Sequence, residues 1–528
     1  MGGWRASARR PLFVFGYTQS IVTAWLVLVA AFSVVDVANR PVPLRGGIGS
    51  AHDAVKTSSP EAQKFYDQGL AYLHSYVWLE AARSFNQALR IDSRLAMAHV
   101  GLTLAYTELN QPALARAALE RAQALASGGH DARHVELRAL QMAAEAAPRE
   151  VARLTAFRAA LDRALQEFPD DEELWLQRGQ AATADPAERG QGSTAGSVRF
   201  YEKALMLAPQ HFAAHHFLAH AYENSGAETE ALAEAAIYAK MAPDVPHARH
   251  MHGHNLRRTG QIDEAIAAFS AADRLESAYL AAEQIPAGYD WHYQHNLDLL
   301  ATSYQYAGRM QQAEALLTRS FAIESSLLVQ EFNKREWPMF LIARGRAQEA
   351  LAAAGTMASH RSAVVSAAGH VAAGHARLAL GQFQEAASEA NAALQKIRGA
   401  EGGGLVAVPL QALQGEFFVR TGQREKGRAM LQEVVQKARA LPGPDAWTET
   451  LFTIEAIARA AREVGDWELA AWAAGQMRDH DPYYAGTHLA LALVAAHNGD
   501  TNTAAAERGL AERYWKTADR DVLESLRR

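Results

Sequence analysis

Signals for pairs of helices return along most of this chain with a step of 34 residues. The step is clearest in two His-x-x-x-His patterns, because His216 and His220 are followed 34 residues later by His250 and His254. Small and aromatic residues recur with helical periodicity, and no alternating strand pattern competes with them. Repeated helix pairs stack into a solenoid, which can reach 528 residues although one compact core cannot.

The first unit begins at Pro60 and indicates how its two helices pack. Its packing positions are alternately aromatic and small: Phe65, Gly69, Tyr72, Ala81, Phe85 and Ala88. Small residues let helices approach, and the rings fill the space between them. This pattern and the 34-residue period are those of the tetratricopeptide repeat (TPR). We therefore predict an all-α, TPR-type α-solenoid, a right-handed superhelix of helix pairs, with an N-terminal membrane anchor or signal helix.

Breaks in the pattern divide the chain into segments. We predict a signal anchor or signal peptide over residues 1–38, a linker over 39–59, N-terminal TPR-like repeats over 60–185, a loop insertion over 186–197, central TPR units with a His-rich groove over 198–355, and C-terminal TPR units over 356–528. The loop insertion is marked by its cluster of Gly, Ser and Thr after Pro186.

The N-terminus has the pattern of a targeting segment. Arginines precede an apolar run from Ile21 to Val35, and no acidic residue appears before Asp36. The run is shorter than the roughly 20 residues of a full membrane span and suits a signal sequence. Cleavage after Ala38 would put Asp36 at an unfavoured position, so an uncleaved anchor is preferred to a cleaved peptide; a buried first helix is the third alternative. Anchor and peptide both place the body outside the cytoplasm, in the periplasm or at the exterior.

Composition excludes several kinds of site. The sequence has no Cys, which rules out disulfides, thiolate catalysis and Cys-ligated metals. The net charge is −6 and no basic stripe is present, so nucleic acid is not an expected partner. The chain also lacks the G-x-S-x-G, phosphate-loop and H-E-x-x-H motifs. A site for a soft or borderline metal would have to use histidine.

The repeat register places histidines on the concave side. In a TPR, the second, fifth and ninth positions of the first helix face the groove, and neighbouring first helices lie about 10 Å apart. The units begin at Phe212, Pro246 and Gln294. Counted from these starts, six histidines occupy such positions: His216, His220, His247, His250, His254 and His295. Imidazole binds copper, iron and zinc. The sequence therefore predicts a transition-metal site, open to the groove, with these histidines as ligands.

Other residues near the six are candidates to orient them. They are Tyr222, Glu223, His292 and Asp298. The alternative is that the duplicated histidines face solvent or make one backbone hydrogen bond, as single histidines commonly do. The matched positions favour the metal site. The remaining histidines are assigned to the core (His252), to structural roles (His211, His215, His370, His375) or to the surface (His360, His488, His497).

One segment resembles a known motif. The sequence from Pro246 to His254, P-H-A-R-H-M-H-G-H, is similar to the P-H-A-x-H-M-P-S-H motif of a large, mostly bacterial group of TPR proteins. The segments beginning at Phe65 and His216 also resemble that group, and the likeness spans residues 60–317. Where the group has Pro-Ser, this chain has His252-Gly253. Because most members have no assigned activity, the resemblance implies the scaffold and the histidine cluster but no reaction.

Three functions are compatible with these patterns. The first is an extracytoplasmic, membrane-anchored metalloprotein that handles a metal or uses it in chemistry. The second is an interaction scaffold whose concave groove binds a protein or peptide partner without metal. The third is a structural subunit of a membrane complex that is attached through the N-terminal helix.

Overall fold

The computed structural model describes residues 33–325, 327–400, 402–441 and 446–526. All regular elements in these ranges are helical, in agreement with the all-α prediction. The first half contains α1 (Val34–Ala38), α2 (Pro60–His74), α3 (Trp78–Ile91), α4 (Ala96–Glu108), α5 (Pro112–Leu125), α6 (Gly129–Glu145), α7 (Val151–Glu167), α8 (Glu172–Gln180), α9 (Ala195–Leu207), α10 (Phe212–Asn224), α11 (Glu228–Met241), α12 (Pro246–Arg258) and α13 (Ile262–Glu283).

The second half continues the helix pairs after a short 3₁₀ turn at Ala287–Tyr289. It contains α14 (Trp291–Tyr306), α15 (Met310–Phe321), α16 (Leu328–Asn333), α17 (Glu336–Ala343), α18 (Ala347–Ala358), α19 (Ala363–Ala379), α20 (Phe383–Ile397), α21 (Gly404–Arg420), α22 (Arg424–Arg439), α23 (Ala446–Glu463), α24 (Trp467–His480), α25 (Ala485–His497), α26 (Thr501–Tyr514) and α27 (Arg520–Ser525).

Local sequence signals account for where several helices begin. Ser59 caps α2 by accepting a hydrogen bond from the Ala62 N–H, and Pro60 occupies the first turn. Asp171 caps α8 in the same way, with its carboxylate accepting from the Leu174 N–H. The predicted loop after Pro186 is present, but α9 already begins at Ala195 and takes up its last residues.

The close approach of paired helices depends on the small residues of the repeat. A Cβ atom added at Gly69 would lie 2.6 Å from the Phe85 ring, and one at Gly101 would lie 2.3 Å from the same ring. Phe85 is fully buried between α2, α3 and α4. These positions therefore fix the spacing of the first two units.

The superhelix closes on itself between its first unit and α13–α14. The Trp291 indole N–H donates to the backbone oxygen of Tyr76 at 2.8 Å. An Arg83 guanidinium N–H lies 2.9 Å from Glu283, and the Tyr279 hydroxyl donates to Glu80 at 2.8 Å. Repeats of an ordinary solenoid contact only their neighbours. These contacts instead join units that are far apart in the chain.

The segment 39–59, predicted as a linker, has no helix but is packed against several units. Gln68 donates to the backbone oxygen of Pro43 at 3.0 Å and accepts from the Arg45 N–H at 2.8 Å. Further along, the Asp244 N–H donates to the oxygen of Gly47 at 2.9 Å. The segment is therefore packed along the helices and is not a free tether, because its backbone groups find partners on α2 and on the α11–α12 turn.

The C-terminal end also folds back onto the central helices. The Trp515 indole N–H donates to the backbone oxygen of Tyr306 at 2.9 Å, and the Asp519 N–H donates to Gly308 at 3.0 Å. The Tyr306 hydroxyl reaches Asp481 at 3.0 Å. The first unit, through Tyr76, and the segment after α26, through Trp515, thus both contact α14.

The predicted anchor or signal segment lies largely outside the described residues, since the description begins at residue 33. Val37 and Ala38, at its end, are fully buried in the core shared with α3. Among the described helices, none is long and apolar enough to cross a membrane.

Candidate metal centre

Three neighbouring helices, α10, α12 and α14, bring the six predicted histidines together as two groups of three. Triad 1 consists of His216, His220 and His247, and triad 2 consists of His250, His254 and His295. Within each triad, the three nearest ring nitrogens lie within 4.8 Å of one another. Each triad combines an i, i+4 pair on one helix with one histidine from the next helix, so the motif supplies two ligands and the repeat supplies the third.

In triad 1, the ring nitrogens converge on His216. Its Nε2 lies 3.2 Å from Nε2 of His220 and 3.0 Å from Nε2 of His247. The other nitrogen of His216, Nδ1, is 2.6 Å from the backbone oxygen of His74. A carbonyl oxygen can only accept, so Nδ1 carries the proton and Nε2 presents a lone pair to its two neighbours.

Triad 2 repeats this arrangement around His250. Its Nδ1 donates to Oδ1 of Asn296 at 2.9 Å, and the amide of Asn296 is oriented by its own hydrogen bond to the oxygen of Phe269 at 3.1 Å. The Nε2 atom of His250 therefore also presents a lone pair, and it lies 2.9 Å from Nε2 of His254. Nitrogens this close need a proton or a cation between them.

The two triads are adjacent. The rings of His247 and His250, one from each triad, have centroids 5.7 Å apart. His292 lies beside both, at 5.0 Å from the ring of His247 and 4.7 Å from that of His250. Its Nδ1 is held by Glu276 at 2.9 Å, and its Nε2 is buried without a hydrogen-bond partner. His292 is thus an oriented imidazole between the triads.

Burial keeps these imidazoles neutral. Desolvation lowers the pKa of His216, His247 and His250 well below the ordinary value, and the neighbouring histidines lower it further. For His292, burial lowers the pKa to about 4. A neutral imidazole is the form that binds a metal ion. At neutral pH, His216, His247 and His250 therefore offer lone pairs without prior loss of protons.

The expectation of an open groove is wrong, because the triads are enclosed. His216 has 0% of its surface exposed, and His295, the most exposed member of either triad, has 7%. Tyr76 covers triad 1, with its ring centroid 4.7 Å from His216 and 5.0 Å from His247. Trp291 stacks on His295 at 5.6 Å. Tyr76 and Trp291, which are joined by a hydrogen bond across the closed superhelix, therefore cover the side on which the triads lie.

Tyr76 reaches this place through an unusual backbone conformation. Its φ angle is +58°, in the left-handed region that aromatic residues rarely adopt. The hydroxyl donates to the oxygen of Arg189 at 2.9 Å, and the backbone oxygen accepts from Trp291. Contacts at both ends of the residue therefore hold the ring over triad 1.

The predicted orienting residues have different positions. The Glu223 carboxylate is 1% exposed and lies 3.6 Å from Nδ1 of His254, so it faces triad 2 from behind. Asp298 is buried on α14, as His295 is. The prediction that Tyr222 orients the histidines is wrong. Tyr222 is half-buried beside the carboxylates of α9 and α11, and burial together with these carboxylates raises its pKa. Two residues after His220 on a helix, it points to the opposite side.

Two further clusters were missed by the sequence analysis. One joins His74, Glu173 and His211, with both histidine Nε2 atoms within hydrogen-bonding distance of Glu173, at 2.9 and 3.0 Å. The other joins Asp53 to His130 and His134. His130 and His134 form another His-x-x-x-His, so the sequence contained the signal for this cluster. The carboxylates come from distant segments and could not be assigned from spacing.

The remaining histidines mostly form pairs with carboxylates. His370 contacts Glu389 at 2.7 Å and His375 contacts Glu416 at 2.7 Å, consistent with structural roles. His488, predicted at the surface, is buried and lies 2.6 Å from Glu507. His252, predicted in the core, is half-buried, because Gly253 takes the contact with the Phe269 ring.

Comparison with known families places one unit. Residues 246–279, which cover α12 and most of α13, match the family described as tetratricopeptide repeat. The chain carries a tetratricopeptide repeat. This TPR begins at Pro246, the residue from which the histidine register was counted. A search of the curated proteins finds no match.

Comparison with solved structures finds matches of low identity. Yeast Tom70 is 12% identical with a TM-score of 0.38, and the match covers 80% of this chain and 93% of that one. The quorum sensor NprR from B. thuringiensis in its apo form is 10% identical with a TM-score of 0.39, covering 80% and 98%. The human IFIT1 dimer with m7Gppp-AAAA is 12% identical with a TM-score of 0.36, covering 88% and 92%.

Proposed function

We propose that this chain is a TPR protein that binds transition-metal ions, copper, iron or zinc, at triads 1 and 2. The observation that carries the proposal is that buried imidazole nitrogens of different histidines face one another within each triad. The Nε2 atoms of His216 and His250 each lie about 3 Å from other imidazole Nε2 atoms. A bound cation would remove the repulsion between these lone pairs.

The ligand type narrows the class of metal. Imidazole nitrogens suit copper, iron and zinc, whereas magnesium and calcium prefer oxygen. The triads offer nitrogen ligands and no oxygen ligands to a hard cation, and the Glu223 carboxylate lies 3.6 Å from Nδ1 of His254 in triad 2. Its position behind His254 matches the carboxylate–histidine–metal arrangement that fixes a ligand's orientation.

A cavity beside triad 1 supports a role in chemistry as well as in metal handling. Its volume is about 330 Å³, and its lining includes His247, His292, Tyr279 and Arg45. A metal ion with three histidine ligands keeps a position for water or another small molecule and supplies Lewis-acid or redox chemistry there when bound. The cavity would admit a small polar molecule to the face of triad 1.

The test is elemental analysis of protein purified without a histidine tag. We expect about one or two equivalents of copper, iron or zinc in the wild type. The double variant His250→Ala with His254→Ala should lose the ion of triad 2 and keep its helix content by circular dichroism. A matched control is His370→Ala with His488→Ala, which removes two histidines outside both triads.

Two results would overturn the proposal. One is a wild-type chain that holds no metal even after reconstitution. The other is full metal content both in the His250→Ala, His254→Ala variant of triad 2 and, separately, in the His216→Ala, His220→Ala variant of triad 1. Either result would make the triads part of the packing alone.

The compartment belongs to the same proposal. The arginine-flanked apolar run before Asp36 supports attachment to a membrane, with the body in the periplasm or outside the cell. Fractionation of the full chain and of a chain that begins at residue 33 tests this. Recovery of both in the same soluble fraction would contradict the anchor.

The second candidate function is a protein-binding scaffold without metal, and the TPR at 246–279 supports it. Because the side of the stack that carries the triads is buried, a protein or peptide partner would have to use another surface of the helix pairs. Co-purification of a partner by a metal-free chain, lost on substitution of exposed helix residues, would favour this function.

A further inference from the structure

A second type of cluster lies where the N-terminal segment meets α6 and α8, apart from both triads. It brings together Asp53 from the N-terminal segment, His130 and His134 from α6, and Asp171 at the start of α8. The two histidines are four positions apart and share one face of α6. We call these four residues the aspartate–histidine site.

Their polar atoms converge on a common centre. Oδ2 of Asp171 is 2.8 Å from Nε2 of His130 and 3.1 Å from Nε2 of His134, and the two nitrogens are 3.1 Å apart. Oδ1 of Asp53 is 3.9 Å from Nε2 of His130. Two nitrogens and two carboxylate oxygens therefore face one place from three separate segments.

Each carboxylate is held by a donor on its other oxygen. Oδ1 of Asp171 accepts from the Leu174 N–H at 3.0 Å, which is the cap of α8. Oδ2 of Asp53 accepts from the Tyr66 hydroxyl at 3.1 Å, and Tyr66 is itself buried. In both residues, one oxygen is fixed by the fold and the other is directed to the histidines. Such outer contacts orient metal ligands in proteins.

The site is open to solvent, unlike the triads. The His130 side chain is 26% exposed. A cavity of about 500 Å³ adjoins it, lined by Asp53, His130, Asp171 and neighbours such as His52. An ion could enter here without movement of the superhelix.

We propose that the aspartate–histidine site binds a divalent cation of the zinc class, independently of the triads. Two imidazoles and two monodentate carboxylates form a four-ligand set of the kind that zinc accepts in tetrahedral geometry. The two carboxylates would also neutralise the ion, which the triads cannot do. Binding would tie the N-terminal segment to α6 and α8, since its ligands come from all three.

Cobalt(II) is the probe, because it occupies zinc sites and gives visible absorption bands when four-coordinate. The full-length chain is freed of metal with a chelator and titrated with cobalt, and zinc is then added to displace it. The background for this titration lacks both triads and carries His216→Ala, His220→Ala, His250→Ala and His254→Ala. We expect bands that persist in this background and disappear when His130→Ala and His134→Ala are added to it. The site thus stands even if the triads bind nothing.

Two further variants separate ligands from neighbours. Tyr66→Phe leaves the four ligands but frees Asp53, and it should weaken zinc binding about tenfold, the lower end of the effect of outer contacts. His52 lines the same cavity but pairs with Asp67 and not with the four ligands. His52→Ala should therefore leave zinc binding unchanged. Asp53→Asn serves where the double histidine variant does not fold, with an expected loss of at least tenfold.

The competing explanation is that the four residues form only ion pairs. In that case cobalt gives no bands that depend on His130 and His134, and, in the background that lacks both triads, zinc binds equally with Asp53 and with Asp53→Asn. Either finding overturns the proposal.

Discussion

Replacing Glu223 by Gln tests whether triad 2 is a metal site or a packed group of rings. The carboxylate is buried 3.6 Å behind Nδ1 of His254, so it favours the tautomer whose Nε2 lone pair faces His250. Loss of such an outer carboxylate weakens metal binding by roughly 10- to 100-fold. The 3.6 Å distance is longer than a normal hydrogen bond, so the effect is mostly electrostatic and the expected loss is close to tenfold, about 1.4 kcal/mol.

The assay is competition for the metal with a chelator of known affinity. The matched control is Glu234→Gln, because Glu234 lies 2.6 Å from Nδ1 of His215, which belongs to neither triad. We expect Glu223→Gln to lose affinity and Glu234→Gln to keep it, with unchanged circular dichroism in both. Equal affinity of the two variants would refute the argument that Glu223 orients His254.

Three other predictions concern stability and access. Gly69→Val should lower the free energy of unfolding by about 1–3 kcal/mol, because the new Cβ would meet the Phe85 ring at 2.6 Å. Urea unfolding measures this change. The control is Gly355→Ala, which should leave the stability unchanged because nothing lies within 4 Å of the new Cβ. Burial would raise the pKa of Glu416, but His375 and Arg420 lower it to about 2, so its contribution, roughly 3 kcal/mol at most, is present above pH 4.5 and is lost as the pH falls toward 2. Glu416→Gln should flatten that slope in unfolding curves, and an unchanged slope would contradict it. Gly49→Val, at φ +86° and 2.6 Å from the Phe212 ring, should loosen the N-terminal segment and speed removal of metal by a chelator in stopped-flow measurements; an unchanged rate would show that the segment does not limit access.

Much of the architecture follows from the repeat pattern. The predicted starts at Pro60, Phe212 and Pro246 coincide with the first residues of α2, α10 and α12. The register then assigns the six histidines to the same side of the stack, because helical position determines which face a side chain occupies. Proline and capping residues make these starts readable from the sequence alone.

The sequence could not reveal how far the superhelix closes. That depends on contacts such as Trp291 with Tyr76, which join residues 215 apart. Burial of the triads follows from these contacts, so it was predicted wrongly, although the six histidines do come together as predicted. The same limit applies to Asp53 and Asp171, whose partners on α6 are set by the path of the chain and not by spacing.

The contacts of both chain ends with α14 also bear on how the protein folds. In an open solenoid, folding can start anywhere and spread from unit to unit, and an end repeat can be removed with a local loss of stability. Here the bonds from Trp291 to Tyr76 and from Trp515 to Tyr306 span 215 and 209 residues. Such long loops must close before these contacts form, which slows folding. Deleting the first unit or α26 should therefore destabilise the middle of the chain, far from the cut, and the amides of α14 should exchange hydrogen only when the whole array opens.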